Sequence, residues 1–219
     1  MEKHISRLVD KYPELSVCAA DIKEAFTVLK DSYDNGGKLL LCGNGGSAAD
    51  CDHIVGELMK GFLLKRPVEP DFVEKLAMLA PEDADYLSSH LQRALPAISL
   101  AGHSALMTAF SNDVAPDLVF AQQVFGYGKM GDVVMGISTS GNSKNVLHAL
   151  TVAKALGLQT IGLTGENGGK MKEICDVTIC VPWKDTPAIQ ERHLPIYHTL
   201  CIMLEEEFFG HETKSISRS

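Results

Sequence analysis

What the chain lacks narrows the field first. No apolar run reaches the ~18 residues a membrane-spanning helix needs, so no membrane span is expected. The N-terminus, MEKHISRLVDKY, carries charges where a secretory leader would have an apolar core. Basic residues are in short supply: 20 Lys and Arg stand against 28 Asp and Glu, a formal net charge of −8. Proteins that bind nucleic acid present basic faces, and this balance argues against that class. It leaves a phosphorylated small molecule open, because backbone N–H groups and hydroxyls hold phosphate without bulk positive charge. The six cysteines show no C-x-x-C spacing. They read as small apolar core residues in reduced form, which predicts a cytoplasmic protein.

What is present is an alternation of short apolar runs with helical spacing over 219 residues, enough for one α/β domain spanning 1–219. Runs at 39–42, 97–101, 133–137, 160–163 and 177–181 predict five strands. Alternation with helices implies a parallel sheet covered on both faces, a doubly wound, flavodoxin-like sandwich with ligands at the strands' carboxyl ends. Residues 1–36 have helical spacing, and Pro13 divides a short first helix from a longer second one. Their apolar face packs on a partner subunit or on the chain's own sheet. Residues 66–96 form a charged, proline-bounded insert with short helices at 72–79 and 86–95, either a lid or a surface elaboration. Helices are expected at about 104–111 and 116–128, with Ser111, Asn112 and Asp113 in the polar link between them.

The last element, 188–209, is helical with Pro195 inside its pattern. That proline either kinks the helix or begins the helix proper. Glu205, Glu206 and Glu207 crowd its C-terminus, where the helix dipole disfavours acids. A solvated or partner-facing end is the only account the sequence offers.

Two loops organise the rest. In LLLCGNGGSAADCDHIVGELMKGF (39–62) an apolar strand meets a glycine-rich turn and then a helix, with Ser47 in place to cap it. ISTSGNS (137–143) repeats the arrangement after the run at 133–137. Neither loop ends in GKS/T, and neither has dinucleotide G-x-G-x-x-G spacing. One such loop could be a turn that needs glycine only to turn. Two favour a pair of helix starts cradling an anion, most often phosphate. His53 and Glu57 are four apart and share a helix face about two turns beyond the first loop. An anion cradle with a His/Glu pair deeper along the same helix reads as a substrate site. His198, taken alone, would also read as a core histidine, and His193 as a surface residue or one just behind the site.

CGNGGS (42–47), SND (111–113), GISTSGNS (136–143) and IQ-x₂-H-x₄-H (189–198) occur in order. Together they resemble the sugar-isomerase (SIS) domain family, and within it the sedoheptulose 7-phosphate isomerases. The resemblance implies the SIS fold, a homotetramer (or dimer), and an aldose–ketose isomerase acting on a phosphorylated sugar through an enediol. It further implies zinc held by His53, Glu57, Gln190 and His198. Substrate and phosphate contacts would come from Asn44, Gly45, Gly46, Ser47, Asn112, Asp113, Ser138, Thr139, Ser140, Ser143 and Gln190. Glu57 and His198 would carry the proton, as ligands, as acid–base groups or as both. Gln190 and His198 are about 12 Å apart along a straight helix, so sharing one ion needs extended side chains or an irregular start to that helix. The chain departs from the family where arginines are usual: Lys60 stands one position early and Ala188 replaces the second. Those changes keep open an isomerase of another sugar phosphate. A non-catalytic SIS module, sensor or scaffold, would need the loops without the metal set.

Overall fold

In the computed structural model, residues 1–210 are described; the last nine positions of the 1–219 span lie outside them. Five parallel strands, β1 (Leu39–Gly43), β2 (Ala97–Ser99), β3 (Val133–Ile137), β4 (Gln159–Thr164) and β5 (Val177–Cys180), form one sheet in the order β2-β1-β3-β4-β5. This is the flavodoxin-like order, and its direction reverses between β1 and β3.

The reason for two covered faces is written in β1 and β3, where every residue is buried. Successive side chains point to opposite faces. Leu39, Leu41, Val133, Met135 and Ile137 therefore enter one core, and Leu40, Cys42 and Val134 the other. The first core is covered by α1 (Glu2–Lys11), α2 (Ala19–Asp34), α3 (Gly46–Met59) and α10 (Thr186–Phe209). The second lies under α7 (Val119–Tyr127) and α8 (Lys144–Ala155). The N-terminal helices thus pack on their own subunit through Ile5, Leu8, Ile22, Phe26 and Leu29.

Several boundaries shift, for local reasons. Pro13 starts a 3-10 turn (Pro13–Cys18) between α1 and α2. β2 stops at Ser99, after which the chain turns, the Gly102 N–H donating to the Ser99 carbonyl. Helix α6 (Ser104–Asp113) runs through the SND segment, so Asn112 and Asp113 are helical and not in a link. In the insert, α4 (Pro70–Leu79) and α5 (Ala84–His90) form a short-stemmed excursion closed by a Pro67–Gln92 bridge. Helix α9 (Met171–Ile174) is a single turn. Pro195 sits in the interior of α10, which begins nine residues earlier behind the cap Asp185, so the proline does not start the helix.

Candidate active site

The carboxyl ends of β1 and β3 lie side by side, Gly43 in register with Ile137, so both loops leave the sheet at its switch point. In the first loop Gly45, at φ 56°, caps α3, a backbone angle in the left-handed region. The helix begins at Gly46; Ser47 is therefore not the cap but a buried residue of the first turn. In the second loop a side chain at Gly141 (φ 64°) would overlap the Gly168 carbonyl, at 2.0 Å. The Ser138 and Ser143 hydroxyls are 2.9 Å apart, and the Asn142 N–H donates to Ser140 Oγ at 3.2 Å. Helix α8 starts at once with Lys144.

Three contacts draw helix starts together here. Asn44 and Asn145 exchange side-chain amide bonds of 2.9 and 2.8 Å, joining α3 to α8. Thr139 Oγ1 lies 3.5 Å from Thr186 Oγ1 in the first turn of α10. Gln190 packs on Gly46 so closely that an added Cβ would sit 2.5 Å from its Nε2. The positive ends of α3, α8 and α10 thus meet beside Ser138, Thr139, Ser140 and Ser143, an anion cradle. Asn112 donates to Asp113 at 2.8 Å. Asp117, four residues on, lies 2.6 Å from Lys144 at the start of α8, so that turn flanks the cradle.

Two turns along α3 is a second cluster. His53 Nε2 is 3.2 Å from Glu57 Oε1 and 3.3 Å from His198 Nε2. The structure brings these three together and leaves Gln190 at Gly46, near the cradle. Burial, then the neighbouring His53, lowers the pKa of His198. Glu57 is mostly buried; its Oε2 accepts no hydrogen bond, and the nearest cation is the Lys60 ammonium at 3.5 Å. Tyr197 Oη donates to Asp50 Oδ1 at 3.1 Å and lies 3.0 Å from His53 Nδ1. The His198 imidazole opens onto a groove of about 420 Å³ between α1 and α10, whose walls include Arg7, Lys11, Leu8 and Leu194.

The end of α3 is fastened by residues the sequence reading missed. Arg66, 1% exposed, donates to the carbonyls of Leu58 (2.7 Å) and Glu57 (3.1 Å) and pairs with Glu205. Glu205, equally buried, also accepts from the N–H groups of Phe62, Leu63 and Leu64. Glu206 pairs with Lys3 and His4, and Glu207 lies 3.8 Å from Lys30. The three acids at the C-terminus of α10 therefore hold α1, α2 and the segment after α3. His193 is not at the surface: it is fully buried, with the Thr164 backbone as its polar neighbour.

Taken pair by pair, these donors have the spacing of ligands to a divalent cation. Zinc bonds of roughly 2.0–2.1 Å give tetrahedral ligand–ligand edges of about 3.3 Å, close to both spacings around His53 Nε2. Among the described residues no three His, Cys, Asp or Glu side chains already enclose one point, so His53 is a shared corner of two pairs. Oε2 of Glu57 accepts no hydrogen bond and has only the Lys60 ammonium nearby, so it is free to take up a proton or a closer cation.

The SIS domain family matches at residues 4–92 and 89–165. Phosphoheptose isomerase of Geotalea daltonii is 44% identical over 197 residues, 90% of this chain and 88% of that one. The protein of the same name from Aliarcobacter butzleri is 41% identical over 186 residues, 85% of each. Among solved structures, phosphoheptose isomerase from Neisseria gonorrhoeae superposes with a TM-score of 0.72 at 31% identity, covering 94% of this chain and 96% of that one. The enzyme from Francisella tularensis gives 0.73 at 30% identity, covering 90% and 91%.

Proposed function

The chain belongs to the SIS-domain family and, within it, to the phosphoheptose isomerases, and on that premise we propose that it interconverts sedoheptulose 7-phosphate and an aldoheptose 7-phosphate. The observation that carries this reading is the layout of α3. Its first turn helps form the anion cradle, and His53 and Glu57 lie seven and eleven residues further along the same helix. Seven residues rise about 10 Å, the reach of a phosphorylated sugar chain and too far for a three-carbon one. The cradle fixes the phosphate end and so orients the carbonyl end at the His–Glu cluster.

In the reaction a proton leaves C1 of the ketose and returns at C2, while the C1 hydroxyl proton passes to the C2 oxygen. No atom or electron is gained or lost. The two oxygens of Glu57 have different surroundings, which lets one residue serve two roles. Oε1 faces His53, and Oε2, free of hydrogen bonds, is the base that carries the carbon-bound proton. His198, its pKa lowered, is a neutral imidazole near pH 7 and exchanges the hydroxyl proton. His53, Glu57 and His198 would hold zinc, which when bound polarises the carbonyl and steadies the developing oxyanion. Gln190, packed at Gly46, serves the cradle side.

Replacement of Glu57 by Gln should lower kcat by about 10²–10⁴-fold, the usual contribution of a positioned acid–base group, and leave sugar-phosphate binding measurable by calorimetry. Turnover near the unaltered rate would remove Glu57 from the mechanism.

The proposal includes a homotetramer in the cytoplasm. Support for assembly comes from exposed apolar side chains bordering the site, Met59, Leu63 and Leu194, and from α4, which buries no residue of its own. All six cysteines are free thiols, in keeping with a reducing compartment.

A further inference from the structure

We infer that Asp50 and Tyr197 are positioning residues that fix the tautomer of His53, keeping the lone pair of its Nε2 turned toward Glu57 and His198. The inference rests on the reading of His53 as a site residue. It follows from counting protons along a chain of three groups. The phenol of Tyr197 has one proton and two neighbours, Asp50 Oδ1 at 3.1 Å and His53 Nδ1 at 3.0 Å. If that proton goes to the carboxylate, the phenol oxygen can accept, and His53 must supply the second hydrogen bond from Nδ1–H. If it goes instead to His53 Nδ1, the ionised carboxylate of Asp50 faces a phenol oxygen with no proton between them. Only the first arrangement satisfies all three groups, with donation running from His53 Nδ1–H to Tyr197 Oη and from Tyr197 Oη–H to Asp50 Oδ1.

The consequence appears at the other end of the ring. With Nδ1 protonated, the neutral imidazole presents a lone pair at Nε2, aimed at Glu57 Oε1 and His198 Nε2. That lone pair is open to a proton donated by His198 Nε2–H or to a cation shared with Glu57 Oε1, across 3.3 and 3.2 Å. Tyr197 is nearly fully buried and its ring packs edge-on to that of His53, at a centroid distance of 5.4 Å, so the donor is held in place sterically as well. A carboxylate behind a ligating imidazole is a recurrent arrangement, and here a phenol is interposed.

The test is nitrogen-detected NMR of His53 in metal-free protein at mildly alkaline pH, for the unaltered chain, Tyr197→Phe and Asp50→Asn. Tyr197→Phe keeps the buried ring and removes only the hydroxyl. Asp50→Asn can present an N–H to the phenol and so turn the phenol proton toward His53. The unaltered protein should show the Nδ1–H form, and both variants should lose that preference. Zinc affinity, read by competition with a chromophoric chelator, should weaken by about 10–100-fold in each. An Nε2–H tautomer in the unaltered chain, or an unchanged tautomer or zinc affinity in Tyr197→Phe, overturns the inference. If the unaltered chain takes up no zinc, the cofactor reading fails, and the tautomer measured on the same sample still decides for or against the relay.

Discussion

His193 and the Arg66–Glu205 pair show what burial does to single residues in this chain. A histidine ordinarily titrates near 6.5, and burial pushes His193 down to about 4. The unfolded chain therefore takes up a proton at His193 as pH falls below 6.5, and the folded chain does not until about 4. The stability difference is fully present above 6.5 and declines across that window by about 3 kcal/mol. Urea midpoints measured between neutral pH and about 4 should fall accordingly, and His193→Phe should flatten that part of the profile; an equally steep profile in the variant would assign the acid sensitivity elsewhere. Removal of Arg66 leaves the Glu205 carboxyl buried and short of its main partner. Arg66→Met should cost about 3–5 kcal/mol in denaturant unfolding, where an exposed pair would cost under about 1. None of this was legible in the linear sequence. Glu205 reads as one of three acids at an unfavourable helix end, and only the fold shows Arg66 and three N–H groups arriving at it.

At the scale of elements the sequence was a better guide. β1 and β3 are uninterrupted apolar runs, and such runs fold as central parallel strands. The Ser/Gly loops followed because a glycine pair or an SGN after an apolar run has few other uses. Details that depend on side-chain partners were not readable. Ser47 looks like a cap, but Gly45 can adopt the positive φ that closes this turn, and Ser47 is carried inside. Asn44, which the family resemblance places near the sugar, also pairs with Asn145, an asparagine with no pattern of its own. That reciprocal pair makes an element-scale prediction. Each hydrogen bond contributes about 0.5–1.5 kcal/mol, so Asn145→Ala should loosen the cradle and raise KM for the sugar phosphate by about tenfold with kcat little changed. An unaltered KM would mean that the loops keep their relative position without the pair.

For the molecule as a whole, the gap between the cradle and the His–Glu cluster is set by one helix, α3, and the groove beside His198 is walled by α1 and α10. No helix among the described residues is long and apolar enough to cross a membrane. Light scattering of the purified protein should give four times the 23.7 kDa chain mass; a monomer would remove the assembly from the account. The insert carrying α4 and α5 was visible as a charged, proline-bounded stretch, yet nothing in its spacing said that α4 would bury no residue. The account stands most directly on proton transfer at the carbonyl end of a phosphate-anchored sugar, and the measurement that reaches it is proton NMR of sedoheptulose 7-phosphate incubated with the protein in D₂O. The predicted result is an aldoheptose 7-phosphate carrying solvent deuterium at C2, with exchange slowed by about 10²–10⁴-fold in Glu57→Gln. A bound sugar phosphate that neither isomerises nor exchanges its C1 protons would contradict it.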